Sequence, residues 1–180
     1  MGNLLTRKSV KHRDEGGLKA LHHAAWDGDL EKCRELVARG TDLDIRDKWG
    51  WTAVMEATNG AGHLETVKYL AEAGADINAR SNNGRTAVMM AAGNGQLEIV
   101  KYLTEAGANI NTWDNDGKTA LIEAAFEGHL KIVMCLAEAG ADINTRSNNL
   151  WTPVMWAANG GHREIVKWLT DAGAIVQGRT

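Results

Sequence analysis

Residues 73–111 read AGADINARSNNGRTAVMMAAGNGQLEIVKYLTEAGANIN, and this stretch decides the fold because the chain repeats it. Residues 139–174 read AGADINTRSNNLWTPVMWAANGGHREIVKWLTDAGA and align with it without gaps. A self-similar period of about 33 residues is typical of a stacked repeat protein. The same frame divides residues 14–180 into five units, which we place at 14–46, 47–80, 81–113, 114–146 and 147–179.

Each unit predicts the same local structure: a helix, a turn, a second helix and a hairpin. In the third unit the apolar run 86–92 predicts the first helix, and Asn94 and Gly95 end it, since glycine adopts the left-handed backbone without steric cost. Residues 97–103 carry apolar side chains at helical spacing, which predicts an amphipathic second helix. The turn-forming residues of 107–117 then predict a projecting hairpin.

Four short motifs recur with the unit. In the fourth unit and at its end they are Gly117-Lys118-Thr119-Ala120-Leu121, Ala124-Ala125, Gly128-His129-Leu130 with Val133, and Gly140-Ala141-Asp142-Ile143-Asn144. They resemble the ankyrin repeat, whose pattern has a Gly-x-Thr-Pro/Ala-Leu start, an Ala-Ala pair, Gly-His-Leu-x-x-Val and Gly-Ala-Asp-x-Asn. The resemblance implies an all-α repeat solenoid of five ankyrin-like repeats in a curved array. Because no unit can bury its own apolar face, each must stack against its neighbours.

Three departures from the repeat carry expectations of their own. The second unit has an extra residue within 58–62, which should bulge the loop between its helices. Leu150 replaces the hairpin glycine of the fifth unit, so either the turn changes type or leucine bears strain at positive φ. Trp168, Ile175 and Val176 are apolar where a closing unit should be polar. A partner, or sequence beyond this chain, would cover that end.

The resemblance implies that a partner meets the concave side of the array, formed by hairpins and first helices. Six of the seven tryptophans fall in those segments: Trp26, Trp49, Trp51, Trp113, Trp151 and Trp156. Tryptophan supplies large, stiff contact area with one polar group, so this clustering predicts a binding surface. The residue before each alanine pair also varies, which indicates exposure: His23, Glu56, Met90, Glu123 and Trp156.

We therefore predict a partner-binding stripe that comprises Trp49, Trp51, Glu56, Arg85, Met90, Trp113, Glu123, Phe126, Trp151 and Trp156. Such a surface suits an extended peptide or a protein face with apolar and some basic groups. The alternative for any one tryptophan is that it only packs between hairpins.

The sequence gives no support to catalysis or to a cofactor. His63, His129 and His162 recur at one position, but neighbouring helices pack about 8–10 Å apart, too far for their imidazoles to share a zinc ion. We expect a repeated loop-stabilising hydrogen bond instead. Cys33 and Cys135 are expected to be reduced core thiols in a cytoplasmic protein. The chain has neither a phosphate loop nor a nucleophile with a positioned base.

Charge separates the first thirteen residues from the rest. The chain has 20 basic and 23 acidic residues, a net charge of −3. Residues 1–13 hold four of the basic residues and none of the acidic ones, so residues 14–180 have 16 basic against 23 acidic residues, a balance of −7. So acidic a body is a poor nucleic-acid binder.

The segment 1–13 predicts a membrane tether. Met1-Gly2-Asn3-Leu4-Leu5-Thr6 fits the Met-Gly-x-x-x-Ser/Thr pattern for myristoylation of Gly2. The basic residues that follow supply the second signal that a single acyl chain requires: Arg7, Lys8, Lys11 and Arg13. Three alternatives stay open: a solvated tail, a tail that pairs with the acidic body, and a vector-derived start. A transit peptide fits less well, since serine is scarce.

Together these features predict a non-catalytic interaction scaffold, monomeric alone, that binds another protein or peptide, in the cytoplasm or peripherally on a membrane. Two alternatives stand beside it. One is a subunit permanently embedded in a larger complex, with the tryptophan stripe and the Trp168 end both buried. The other is an engineered ankyrin binder, which the inserted residue and Leu150 argue against.

Overall fold

The protein is described from a computed structural model for residues 14–175, with side chains from Ala20 onward. Within this range the chain is entirely helical and contains no strand. Its ten helices form five consecutive pairs: α1 (Asp14–Asp27), α2 (Leu30–Ala38), α3 (Ala53–Thr58), α4 (Leu64–Glu72), α5 (Ala87–Gly93), α6 (Leu97–Glu105), α7 (Ala120–Glu127), α8 (Leu130–Glu138), α9 (Pro153–Asn159) and α10 (Arg163–Asp171).

Local sequence sets the ends of these short helices. The first helices of units two to five each begin after a threonine with extended backbone, a favourable residue at this position. Thr119 also accepts a hydrogen bond from the Ile122 N–H. Gly128 ends α7 in the left-handed conformation, with φ 87°. Pro153 opens α9 at a position where its missing N–H costs nothing.

The units bury apolar surface against one another. Helix α5 packs between α3 and α7, and every residue from Ala87 to Ala92 is at most 3% exposed. Neighbouring second helices also pack against one another, and in units two to four their central apolar residues are fully buried: Val67, Leu70, Val100, Leu103, Val133 and Leu136. One apolar core therefore runs through all five units, as the repeat predicts.

Hydrogen bonds tie each hairpin to the one before it. Asn115 donates its backbone N–H to the Asn83 carbonyl at 2.9 Å and its side-chain amide to the Asn82 carbonyl at 3.1 Å. Asn82 and Asn148 make the equivalent pairs of bonds. These repeated asparagines hold the hairpins at a fixed spacing.

A second set of bonds links the loops after the second helices. In each bond a backbone N–H of one unit donates to a side-chain oxygen of the preceding unit at 2.8–3.0 Å. The donor and acceptor pairs are Asp76 to Asp44, Asn109 to Asn78, Asp142 to Asn111 and Ile175 to Asn144. Asn78, Asn111 and Asn144 are thus structural bridges between units.

The inserted residue of the second unit lengthens its loop as expected. The loop between α3 and α4 covers residues 59–63, whereas the loop between α5 and α6 covers residues 94–96. Gly60 and Gly62 both have positive φ, 64° and 72°, which lets the longer loop turn back toward α4.

Leu150 keeps the hairpin turn and bears the strained backbone. Its φ is 66°, and its N–H donates to the Ser147 carbonyl at 2.8 Å, as the Gly117 N–H does to Asp114 at 3.0 Å. A Cβ at Gly117 would lie 2.6 Å from Oδ1 of Asn148 in the next unit. The described residues place no further hairpin against Leu150, whose side chain is 67% exposed.

Two apolar residues near the end of the fifth unit are only partly covered. Trp168 packs half-buried against the core, and Ile175 is exposed. Val176 and the whole segment 1–13, with Gly2 and its basic residues, lie outside the described residues. Within residues 14–175, no helix combines the length and apolar character needed to cross a membrane.

Relief of the Leu150 strain should be measurable. We expect Leu150→Gly to raise the free energy of unfolding by roughly 0.5–1 kcal/mol, since the left-handed backbone costs leucine about 1–2 kcal/mol and glycine returns part of this through unfolded-chain entropy. Urea denaturation at constant m-value measures the change. The matched variant Gly117→Leu should lose about 2 kcal/mol or more, because its Cβ also collides with Asn148. A neutral or destabilising Leu150→Gly contradicts the strain.

Candidate functional site

Two repeated positions in each of units two to five hold most of the predicted site residues. The first follows the hairpin glycine or Leu150, and the second precedes the alanine pair, five residues later. We call the two columns the first-helix surface: Trp51 and Glu56, Arg85 and Met90, Lys118 and Glu123, Trp151 and Trp156. Phe126 joins it from the end of α7.

Three aromatic rings meet on this surface at units four and five. Trp156 lies at the centre, with its ring centroid 5.3 Å from Phe126 in an edge-to-face arrangement and 5.0 Å from Trp151. Its indole N–H donates to the Ser147 hydroxyl at 3.1 Å, which fixes the ring. All three residues are partly exposed. The aromatic cluster is therefore preformed and open to solvent on one side.

A group of charged side chains adjoins the aromatic cluster. The Glu123 carboxylate, 12% exposed, lies 3.6 Å from Nη2 of Arg85 and 3.7 Å from Nζ of Lys118. Lys118 Nζ also lies 4.8 Å from the centre of the Trp156 ring. Both ion pairs are longer than the 2.7–2.9 Å of a charge-assisted hydrogen bond. These three residues also line an open polar pocket of about 450 Å³, together with Asn83, Asp114, Asn115 and Asp116.

Glu56 occupies the position of Glu123 two units earlier, but in different surroundings. It is half-buried, and no salt bridge or side-chain hydrogen bond reaches its carboxylate from the part of the chain whose side chains are described. Burial raises the pKa of the Glu56 carboxyl above its ordinary value of 4.5. Attraction to His22 and His23 opposes the rise, and repulsion from Asp47 adds to it.

The expected exposure of Met90 is wrong. Met90 is 3% exposed, because α5 is covered on both sides by neighbouring first helices. Variation at its repeated position therefore indicates exposure for the polar members of the column and for Trp156, but not for methionine, which fills the gap between units.

The predicted tryptophan stripe is not one continuous aromatic surface. Trp49 and Trp113 are 57% and 62% exposed at the hairpins. Among the described residues, neither makes a ring contact with the aromatic cluster, and Trp49 instead lies 4.0 Å from Nζ of Lys48. Trp51 packs half-buried against the core, and its carbonyl accepts a hydrogen bond from His22.

Sequence reasoning missed Lys118, which joins the charged group to the aromatic cluster. The signal was present, because Lys118 shares its repeated position with Trp51, Arg85 and Trp151. The position after the hairpin glycine or Leu150 thus varies as much in its chemistry as the position before the alanine pair.

The histidines and cysteines have structural surroundings. Nε2 of His129 and of His162 lies within hydrogen-bonding distance of the preceding unit, 3.0 Å from the Gly93 carbonyl and 2.7 Å from the Phe126 carbonyl. Burial raises the pKa of the Cys33 thiol to about 11, whereas Cys135 is only half-buried. No group of three or more His, Cys, Asp or Glu residues in the described part of the chain could hold a metal ion.

The stacked helix pairs, bridging hairpins and side-chain surface define a helical repeat protein of the solenoid class. A family model described as Ankyrin repeats (3 copies) matches residues 3–81, 21–114, 78–147 and 113–180. These overlapping matches cover nearly the whole chain, so the protein belongs to the ankyrin repeat family. No curated protein matches the sequence.

The environment of Glu56 predicts that ionisation of its carboxyl group lowers the stability of the folded protein as the pH rises. Because its folded-state pKa is raised, the stability that Glu56 contributes is fully present below 4.5 and is lost as the pH rises through the folded-state pKa. Glu56→Gln should therefore have a higher thermal midpoint than the original chain at pH 7, and the difference should shrink toward pH 4. Calorimetry over this range measures it.

Glu98→Gln is the matched control, since it removes an equal charge from the exposed side of α6, where Glu98 pairs with Lys101 at 3.0 Å. It should give no stabilisation at pH 7. If both variants gain stability equally, general charge reduction explains the result and the local environment of Glu56 does not.

Proposed function

We propose that this protein is a non-catalytic interaction scaffold that binds another protein or a peptide through its first-helix surface and hairpins. Ankyrin repeats generally mediate protein–protein interaction. The observation that carries the proposal for this chain is the partly exposed aromatic cluster of Phe126, Trp151 and Trp156 beside the charges of Arg85, Lys118 and Glu123.

The composition of this surface supports binding. Tryptophan and arginine are enriched among the residues that dominate interface energies, and they act best in packed, partly desolvated settings. Trp156 is held by two ring contacts and one hydrogen bond, so little side-chain freedom is lost when a partner covers it. The bridged hairpins likewise present Trp49 and Trp113 from a fixed backbone.

The polar groups of this surface are suited to binding rather than to catalysis. Glu123 is shared by two cations, and Asp114 accepts the backbone N–H groups of Asp116 and Lys118 within its own hairpin. The polar groups of the pocket thus serve the scaffold and can orient a partner.

Replacement of Trp156 tests the proposal. We expect Trp156→Ala to reduce capture of a specific partner from a cell lysate by about 30-fold, the loss expected for a residue worth roughly 2 kcal/mol at an interface. Quantitative mass spectrometry of captured proteins measures the effect. Tyr102→Ala is the matched control, since it truncates a half-buried aromatic residue of the second helix α6, away from the first-helix surface, and should leave capture unchanged. Equal capture by the original chain and Trp156→Ala contradicts the proposal.

We also propose that the protein is cytoplasmic and that the segment 1–13 brings it to membranes. The support is the myristoylation pattern at Gly2 followed by Arg7, Lys8, Lys11 and Arg13. In a eukaryotic cell, Gly2→Ala should move the protein from the membrane fraction to the cytosolic fraction, because basic residues alone hold it weakly. Cell fractionation with intact-mass measurement reads out the acyl group. An original chain that never sediments with membranes rules the tether out.

A further inference from the structure

We propose that the second unit binds a basic side chain, arginine or lysine, of the partner segment, with the Glu56 carboxylate as its counter-ion and the tryptophans of that unit beside it. The inference rests on the proposed function and specifies the chemistry of the partner.

The repeat itself supplies the template. In the fourth unit, the carboxylate before the alanine pair meets two cations, Lys118 from its own unit at 3.7 Å and Arg85 from the preceding unit at 3.6 Å. Lys118 also lies against the aromatic cluster, 4.8 Å from the Trp156 ring. A carboxylate at this position is therefore accompanied, within the same protein, by cations from two units.

The second unit has the carboxylate but lacks these cations. The positions that correspond to Lys118 and Arg85 hold Trp51 and Leu18 in the sequence. Residues with this spacing of five meet in other units, as Lys118 does with Glu123 and Trp151 does with Trp156 at 5.0 Å. Trp51 thus occupies the register position next to Glu56, where a cation of the partner would find both a carboxylate and an indole.

Charge favours a cation as the occupant. Residues 14–180 carry a balance of −7 from 16 basic and 23 acidic residues, which attracts a basic segment. Glu56 is half-buried without an ion pair to any described side chain. Attraction to His22 and His23 offsets only part of the cost of burying its carboxylate, and Asp47 repels it. An incoming cation would offset both the lost hydration and this repulsion, whereas an acidic group would add to them.

The surroundings add apolar contact area. Trp49 is 57% exposed at the hairpin of the same unit, and Trp26 is 44% exposed on α1. The lengthened loop 59–63 lies close to the Trp26 side chain, since a Cβ added at Gly60 would be 3.9 Å from the indole ring. A partner segment with a basic residue flanked by apolar residues matches this arrangement.

The test uses a random dodecapeptide phage library panned against the full chain, followed by synthesis of the enriched peptides as probes. We expect enriched sequences to share an arginine or lysine. Isothermal titration should show about tenfold weaker binding to Glu56→Gln, and about tenfold weaker binding when the shared arginine becomes citrulline, or the shared lysine becomes norleucine. Combined, the two changes should cost no more than either alone, since each removes the same pair.

Matched variants separate a local contact from general attraction. Glu98→Gln removes an equal charge from α6 and should leave the affinity of every probe within about twofold. Equal weakening by Glu98→Gln and Glu56→Gln, or full additivity with the peptide change, overturns the inference. Because Glu56→Gln is expected to be at least as stable as the original chain at pH 7, lost binding cannot be attributed to unfolding.

The same probes distinguish this inference from the proposed function. Peptides that lose binding to Trp156→Ala but ignore Glu56→Gln contradict only the basic-residue inference. Peptides that ignore both variants, or a library that yields no binder, contradict the first-helix surface as a binding site.

Discussion

The whole structure depends on close contact between neighbouring units, because no single helix pair can cover its own apolar face. Residues Ala87 to Ala92 are at most 3% exposed only because α3 and α7 lie on either side of them. The asparagine bonds between hairpins hold the same spacing between the hairpins of neighbouring units. Because the units are evenly spaced, a side chain at a given repeated position faces the same repeated positions of the neighbouring units. The contacts of one residue can therefore be compared directly with those of its counterpart in another unit.

This regularity gives meaning to the difference between Glu56 and Glu123. Both carboxylates occupy the same place in their units, yet of the two only Glu123 forms ion pairs among the described residues, with Lys118 of its own unit and Arg85 of the preceding one. A half-buried carboxylate without such ion pairs lowers stability at neutral pH, and carboxylates in perturbed environments cluster at functional sites. The preformed aromatic cluster and the Glu56 carboxylate thus mark two kinds of contact along one surface, the first mainly apolar and the second mainly electrostatic.

Most of the architecture was predictable from the sequence, since period, helix patterns and turn glycines are local signals. The lengthened loop at 59–63 also followed from a single departure in the repeat, and the strained backbone of Leu150 was one of the two outcomes that its departure allowed. The details of the surface were less predictable. Met90 is buried because of its neighbouring helices, and Lys118 gains its role from Glu123 and Trp156, contacts that no local pattern encodes. Trp49 and Trp113 looked like members of one stripe, but the repeat places them apart from the aromatic cluster.

Leu150 also constrains how such an array could grow. At Gly117 the approach of the following unit leaves no room for a Cβ, with Asn148 Oδ1 at 2.6 Å. A unit added after Leu150 in the same geometry would meet that obstruction, whereas duplication of an earlier unit would preserve a glycine at each junction. Lengthening of the array by gene duplication is therefore sterically favourable among the units before Leu150. A unit stacked after the fifth one in the same geometry would require glycine in place of Leu150.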